Sequence, residues 1–132
     1  RIQTIEEAKT KMVDEDERTE FIGLINYAII GLIQMQLKDD KRIELNEEEA
    51  VELFDKQATA IKSLMLAKNH DYGEAWREMA VESLTDLILM KIYRIKQIEG
   101  NEGKTLVSEG VDSNYFDMLN YAVFALIRMD VK

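Results

Sequence analysis

The stretch Leu119-Asn120-Tyr121-Ala122-Val123-Phe124-Ala125-Leu126-Ile127-Arg128-Met129 decides the fold, because Ile25-Asn26-Tyr27-Ala28 and Gly31-Leu32-Ile33-Gln34-Met35 repeat its pattern 94 positions earlier. Upstream, Arg1-Ile2-Gln3-Thr4-Ile5-Glu6 echoes Arg94-Ile95-Lys96-Gln97-Ile98-Glu99 at an offset of 93, and one inserted residue reconciles the two offsets. Both stretches carry apolar residues at intervals of three and four, the period of a helix with one buried face. The expectation is an all-α helical bundle of about four main helices with an internal, truncated tandem repeat, forming one domain over residues 1–132. Residues 1–37 read as the tail of a degenerate first copy and residues 46–132 as a complete second copy. Since the first copy starts in mid-motif at Arg1 with no initiator Met, the chain is expected to be a fragment of a longer protein.

Four helices follow from the periodicity. One covers about Glu17 to Leu37, with Asp16 as N-cap and Phe21, Leu24, Ile25, Ala28, Leu32 and Met35 along its stripe. Asn46, with Glu49 three residues later, opens a second that buries Val51, Phe54, Ala58, Ile61, Leu64 and Met65 and ends near Lys68. The third starts at Glu82 or Ser83, carries Leu84, Leu87, Ile88, Ile92, Ile95 and Ile98, and stops at Gly100. The fourth begins near Asp112 or Ser113 and buries Phe116, Leu119, Val123, Leu126 and Ile127. Between the second and third, Asn69 to Ala80 reads as a turn with a break at Gly73.

Composition bounds the chemistry. A chain of 132 residues with 46% hydrophobic and 33% charged residues supports one globular core. Its net charge of -9 opposes binding to duplex nucleic acid, which depends on a basic surface. Of that excess, residues 1–60 hold -7 and residues 61–132 only -2, so the second half has the more balanced charge. The absence of cysteine excludes disulfides, thiolate nucleophiles and Cys-ligated metal. No apolar run approaches the roughly 18 to 20 residues that span a bilayer, so a cytoplasmic protein without a membrane partner is expected.

Three groups of residues suit phosphate or metal chemistry. On the fourth helix, Asp117 and Asn120 stand one turn apart with Ser113 and Tyr121 beside them, a pair of oxygen ligands that suits magnesium. Taken alone, the same residues read more readily as the polar flank of an amphipathic helix with an acid near its start. On the third helix, Asp86, Lys91 and Arg94 fall within an arc of roughly 140°, which suits a metal and a phosphate clamp or, equally, a solvated face of ion pairs. In Lys68-Asn69-His70-Asp71-Tyr72-Gly73-Glu74-Ala75-Trp76, the candidates Lys68, Asp71, Tyr72 and Trp76 surround a helix break. Such a group stacks a base and touches phosphate, or plugs the end of the bundle. His70 is the one histidine, which excludes a multi-His site within a single chain. No glycine-rich dinucleotide or P-loop motif occurs.

In order, Asp71-Tyr72-Gly73-x-x-Trp76, Ser83-Leu84-Thr85-Asp86-x-x-x-x-Lys91-x-x-Arg94-Ile95, Glu109-Gly110-Val111-Asp112, Asp117 and Asn120-Tyr121-Ala122 resemble the nucleotide modification associated domain type 1 family. That group is similar to the all-alpha nucleotide pyrophosphatases of the MazG and dimeric dUTPase kind. The resemblance covers residues 68–129 densely and residues 1–37 as the tail of a preceding repeat. It implies a helical bundle in which carboxylates of neighbouring helices hold magnesium, and the metal sets a water against a nucleoside triphosphate. Carried onto this chain, Asp86 and Asp117 would hold the ion with help from Asn120, Asp112 or Glu109. Lys91 and Arg94 would stabilise developing phosphoryl charge, and Tyr72 and Trp76 would shape a base pocket. The chain departs from the superfamily pattern in two places: the third helix has no Glu-x-x-Glu, and the second motif stands as Asn114-x-x-Asp117 with one acid missing. The expected function is magnesium-dependent hydrolysis of a nucleoside triphosphate to monophosphate and pyrophosphate by a homodimer acting on a small-molecule nucleotide. The alternative is a nucleotide-binding or assembly module without catalysis.

Overall fold

The computed structural model describes residue 2 and residues 17–38, 45–100 and 110–130. Four α-helices and one short 3-10 turn account for nearly all of them: α1 (Glu17–Gln36), α2 (Glu47–Tyr72), the turn Ala75–Glu78, α3 (Val81–Gly100) and α4 (Val111–Asp130). The expected all-α bundle is what forms, with no strand among the described residues. None of these helices is long and apolar enough to cross a membrane.

Local chemistry sets the helix ends. Asn46 caps α2 by accepting a hydrogen bond from the Glu49 amide at 2.8 Å, while its own amide donates to the Glu49 carboxylate at 2.6 Å. Glu47, Glu48 and Glu49 then lie in the first turn, where the helix dipole favours negative charge. α2 runs one turn beyond the expected Lys68 and stops at Gly73, whose φ of 71° turns the chain into the left-handed region and sends its N–H to the Asn69 carbonyl. Glu74 follows with φ 55°, a costly conformation for a residue with a side chain, which its hydrogen bonds to Asn69 and Arg77 help to hold.

Helix α4 is the centre of the molecule. It packs between α1 and α3, with Ala122 and Ala125 fully buried so that both neighbours approach closely. Arg18 at the start of α1 pairs with Asp130 at the end of α4, so these two helices run antiparallel. Shifting the bounds of α1 by 94 residues reproduces those of α4. Packing follows the same relation: a Cβ on Gly31 would stand 3.4 Å from the Tyr115 ring, and their counterparts at that offset, Ala125 and Phe21, share one buried cluster. Ile2 and its counterpart Ile95 also belong to that cluster.

Helix α2 behaves differently from its expected stripe. Among its described side chains only Ile61 is buried, joining Ala28, Ile29, Leu32 and Leu119, with Phe54 partly covered at the edge of that group. Val51 is 54% exposed and Leu64 also faces solvent. The cause is that α2 leans on the outside of α1 and α4, touching them with a narrow seam, so its apolar period covers more residues than the contact does. On α4 the buried face likewise shifts to Asn114, Met118, Leu119, Asn120, Ala122 and Ala125, leaving Phe116, Val123 and Ile127 half-covered. A helix held from two sides buries its small residues where the approach is closest.

Truncating Phe21 or Leu84 to alanine should lower the unfolding free energy by about 2 to 5 kcal/mol, since both are fully buried. Val51→Ala should change it by less than about 0.5 kcal/mol, and Asn46→Ala should cost about 1 kcal/mol; urea unfolding measures all three.

Candidate functional site

Three helices bring charge together at Asp117. Lys68, near the end of α2, donates to Asp117 Oδ1 at 2.8 Å, and Lys91, in the middle of α3, lies 3.1 Å from Oδ2. Each carboxylate oxygen therefore carries its own ammonium group. Asp117 is 19% exposed and the lysines 40% and 27%, so the carboxylate is the inner member and the cations form the rim. Two cations on one anion leave the trio with an excess positive charge, and each ammonium has further N–H groups beyond the one that faces Asp117. Arg94, one turn after Lys91, is half-buried and donates to Gln97 at 3.3 Å.

Asp117 is bracketed along α4 by two buried amides, Asn114 one turn before it and Asn120 one turn after. The Asn114 side-chain nitrogen donates to the Gly110 carbonyl at 3.0 Å, but among the described residues the side-chain oxygens of both Asn114 and Asn120 find no donor. A buried acceptor left unmatched costs about 1 to 3 kcal/mol, so an interior helix face with an Asn, Asp, Asn progression is expensive to keep. Sequence reasoning found Asp117 and Asn120 and treated Asn114 only as a missing acid; its burial comes from the central position of α4.

Of the other proposed carboxylates, two lie among the described residues, and both are exposed. Asp86 is exposed on α3, and Asp112 is exposed in the first turn of α4, where it complements the helix dipole. Glu109 and the side chain of Tyr72 lie outside the described residues. Among those described, no three acidic or histidine side chains come together in a way that would hold a metal ion. Both Asp117 oxygens are engaged by lysines, and among the described residues no complete set of the six oxygen ligands that magnesium takes is formed.

Trp76 packs into the bundle. Its ring is 7% exposed, stacks on Phe124 of α4 at 4.5 Å with 6° between planes, and has the Arg77 guanidinium 4.5 Å from its centroid. No face is left for a base. The indole N–H donates to Asn69 Oδ1 at 2.8 Å, and Asn69 in turn donates to Glu74 at 3.1 Å. Arg128 closes the same end of the bundle by donating to the Met79 carbonyl at 3.1 Å. This latch turns α2 into α3 and so sets where Lys68 and Lys91 stand relative to each other. Asp71 lies outside it, exposed beside His70 with 3.4 Å between their side chains. Asn69 and Glu74 have no sequence signal of their own, because their roles depend on the left-handed pair Gly73 and Glu74.

Asn69→Leu, which leaves the indole N–H without an acceptor, should destabilise the chain by about 1 to 3 kcal/mol. Hydrogen bonding from Arg77 holds the Glu74 carboxyl below the usual glutamate value. The stability this pair contributes is therefore present above the unfolded-state pKa and lost as pH falls through the lower folded-state value. Carboxyl-detected NMR should show Glu74 titrating below the usual glutamate value, and Arg77→Ala should bring it back towards that value.

No curated protein and no solved structure matches this chain significantly. A family model described as nucleotide modification associated domain 1 matches residues 1–35 and 68–129, which include α3, nearly all of α4 and the three residues of the ion-paired junction. The chain belongs to the nucleotide modification associated domain 1 family.

Proposed function

We propose that this chain binds a nucleotide through its phosphates at the Lys68–Asp117–Lys91 junction, as a binding or assembly module rather than a hydrolase. The observation that carries this reading is the pair of lysines from two helices sharing one partly buried carboxylate. Asp117 positions both ammonium groups and offsets their mutual repulsion, so a polyphosphate meets two cations already in place. Local positive charge in a chain of net -9 also concentrates anion binding at one point. The family description connects the domain with nucleotide modification, which agrees with a nucleotide ligand. A homodimer formed through the exposed apolar residues Val51 and Leu66 of α2, and a cytoplasmic location where nucleotides are abundant, complete the reading.

Hydrolysis with magnesium, implied by the resemblance to the all-alpha pyrophosphatases, is the rival. The two separate in one experiment: titration of canonical and modified deoxynucleoside triphosphates with and without magnesium, together with an assay for released pyrophosphate. Binding should weaken as salt rises, and Lys68→Ala and Lys91→Ala should each weaken it by about tenfold, the value of one charge-assisted contact. Asp117→Asn should misplace both lysines and weaken binding while circular dichroism stays helical. Pyrophosphate release that depends on magnesium and on Asp117 would replace this reading with the hydrolase; a folded chain that binds no nucleotide would remove both.

A further inference from the structure

An apolar cleft of about 440 Å³ runs between α1 and α3, on the face of the bundle that α2 does not cover. Its walls are Gly23, Leu24 and Tyr27 of α1 and Ile88, Leu89 and Ile92 of α3, with Ile2 at one end. Tyr27 is 76% exposed on its lip. The offset of 94 residues shows what this surface is built to meet. Gly23, Leu24, Tyr27 and Ala28 correspond to Asp117, Met118, Tyr121 and Ala122 on α4. On α4 three of those positions meet α3: Asp117 pairs with Lys91, and Met118 and Ala122 share a buried cluster with Leu84, Ile88 and Ile95. On α1 the equivalent positions line the cleft, and the residue found beside them is Ile2, the counterpart of Ile95.

We infer that the cleft is the docking site of a partner amphipathic α-helix, one that carries the apolar pattern of α3 and seats against α1 as α3 seats against α4. An α-helix lays an apolar stripe with i, i+3, i+4 spacing into such a groove, whose walls are mostly apolar, with Glu20, Thr85 and the tyrosines Tyr27 and Tyr115 as their polar residues. Gly23 sharpens the specificity. Where α4 presents Asp117 to a lysine, α1 presents no side chain, so the partner helix needs no cation there and can approach the backbone more closely.

A peptide of residues 81–93 tests this, because it holds Leu84, Leu87, Ile88 and Ile92 of the α3 stripe and stops before the segment that aligns with Arg1. Added to the chain of residues 1–132, it should shift the amide resonances of Gly23, Leu24 and Tyr27, while a scrambled peptide should not. A Cβ on Gly23 would meet nothing within 4 Å, so the position has room for a side chain, and Gly23→Leu is the variant expected to fill the groove. Its thermal midpoint should be unchanged or raised, and peptide affinity should fall at least about tenfold, or 1.4 kcal/mol. The inference is overturned if no shifts occur at millimolar peptide, or if Gly23→Leu binds the peptide as well as the parent chain. Sedimentation showing a dimer that Gly23→Leu converts to monomer would assign the cleft to a second copy and overturn it as well.

Discussion

Everything in this bundle depends on how closely α1 and α3 approach α4. Ala122 and Ala125 are fully buried on α4, and the Tyr115 ring lies against Gly31 of α1, where a Cβ would be in ordinary van der Waals contact with it. Small residues at a crossing point bring backbones together and raise the number of dispersion contacts per residue, while the large side chains Phe21, Leu84, Ile98 and Leu119 fill the space on either side. Once α4 is gripped from two directions, little of its surface is left outside. Its polar residues are then drawn inward with the apolar ones, which is why Asn114 and Asn120 end up buried and Asp117 nearly so.

That geometry creates the electrostatic problem which the lysines solve. A carboxylate at 19% exposure loses much of its hydration, and the loss is offset only by charges held close to it. Lys68 and Lys91 supply two, from two other helices, so the trio ties α2 and α3 to α4 at a point where apolar contact with α2 is thin. The Trp76 latch supports the arrangement from the chain's own turn. By stacking on Phe124 and binding Asn69, it fixes the path from α2 to α3 and with it the separation of the two lysines. The stability of the α2–α3 turn and the placement of the two lysines thus draw on the same few contacts.

The two related helices meet different fates for a local reason. α1 and α4 share their length, their antiparallel pairing and an Asn-Tyr-Ala core, yet α4 carries Asp117 where α1 carries Gly23. One substitution of a carboxylate for a hydrogen atom changes what a neighbouring helix must bring. Beside α4 it brings a lysine; beside Gly23 of α1, α3 presents Ile88, Leu89 and Ile92.

Local interactions made much of this legible in the residues. The period of three and four, the Asn46 and Glu49 cap, the glycine at position 73 and the 94-residue repeat are short-range or self-similar features, so the helices, their ends to within a turn and the relation of α1 to α4 can be read without coordinates. Lys68, Lys91 and Asp117 were visible as chemistry-bearing residues one by one. Their union was not: Lys68 and Asp117 lie 49 positions apart, and a charge pair across helices depends on crossing angle and axial offset, which periodicity does not encode. The same holds for the narrow seam of α2, for Trp76 turning inward, and for the unmatched oxygens of Asn114 and Asn120. The sequence by itself determined which segments are helical and which face of each is apolar, because those follow from contacts within a few residues. Tertiary structure alone decided which polar groups share a face of the bundle, because that is settled by how whole helices pack against α4.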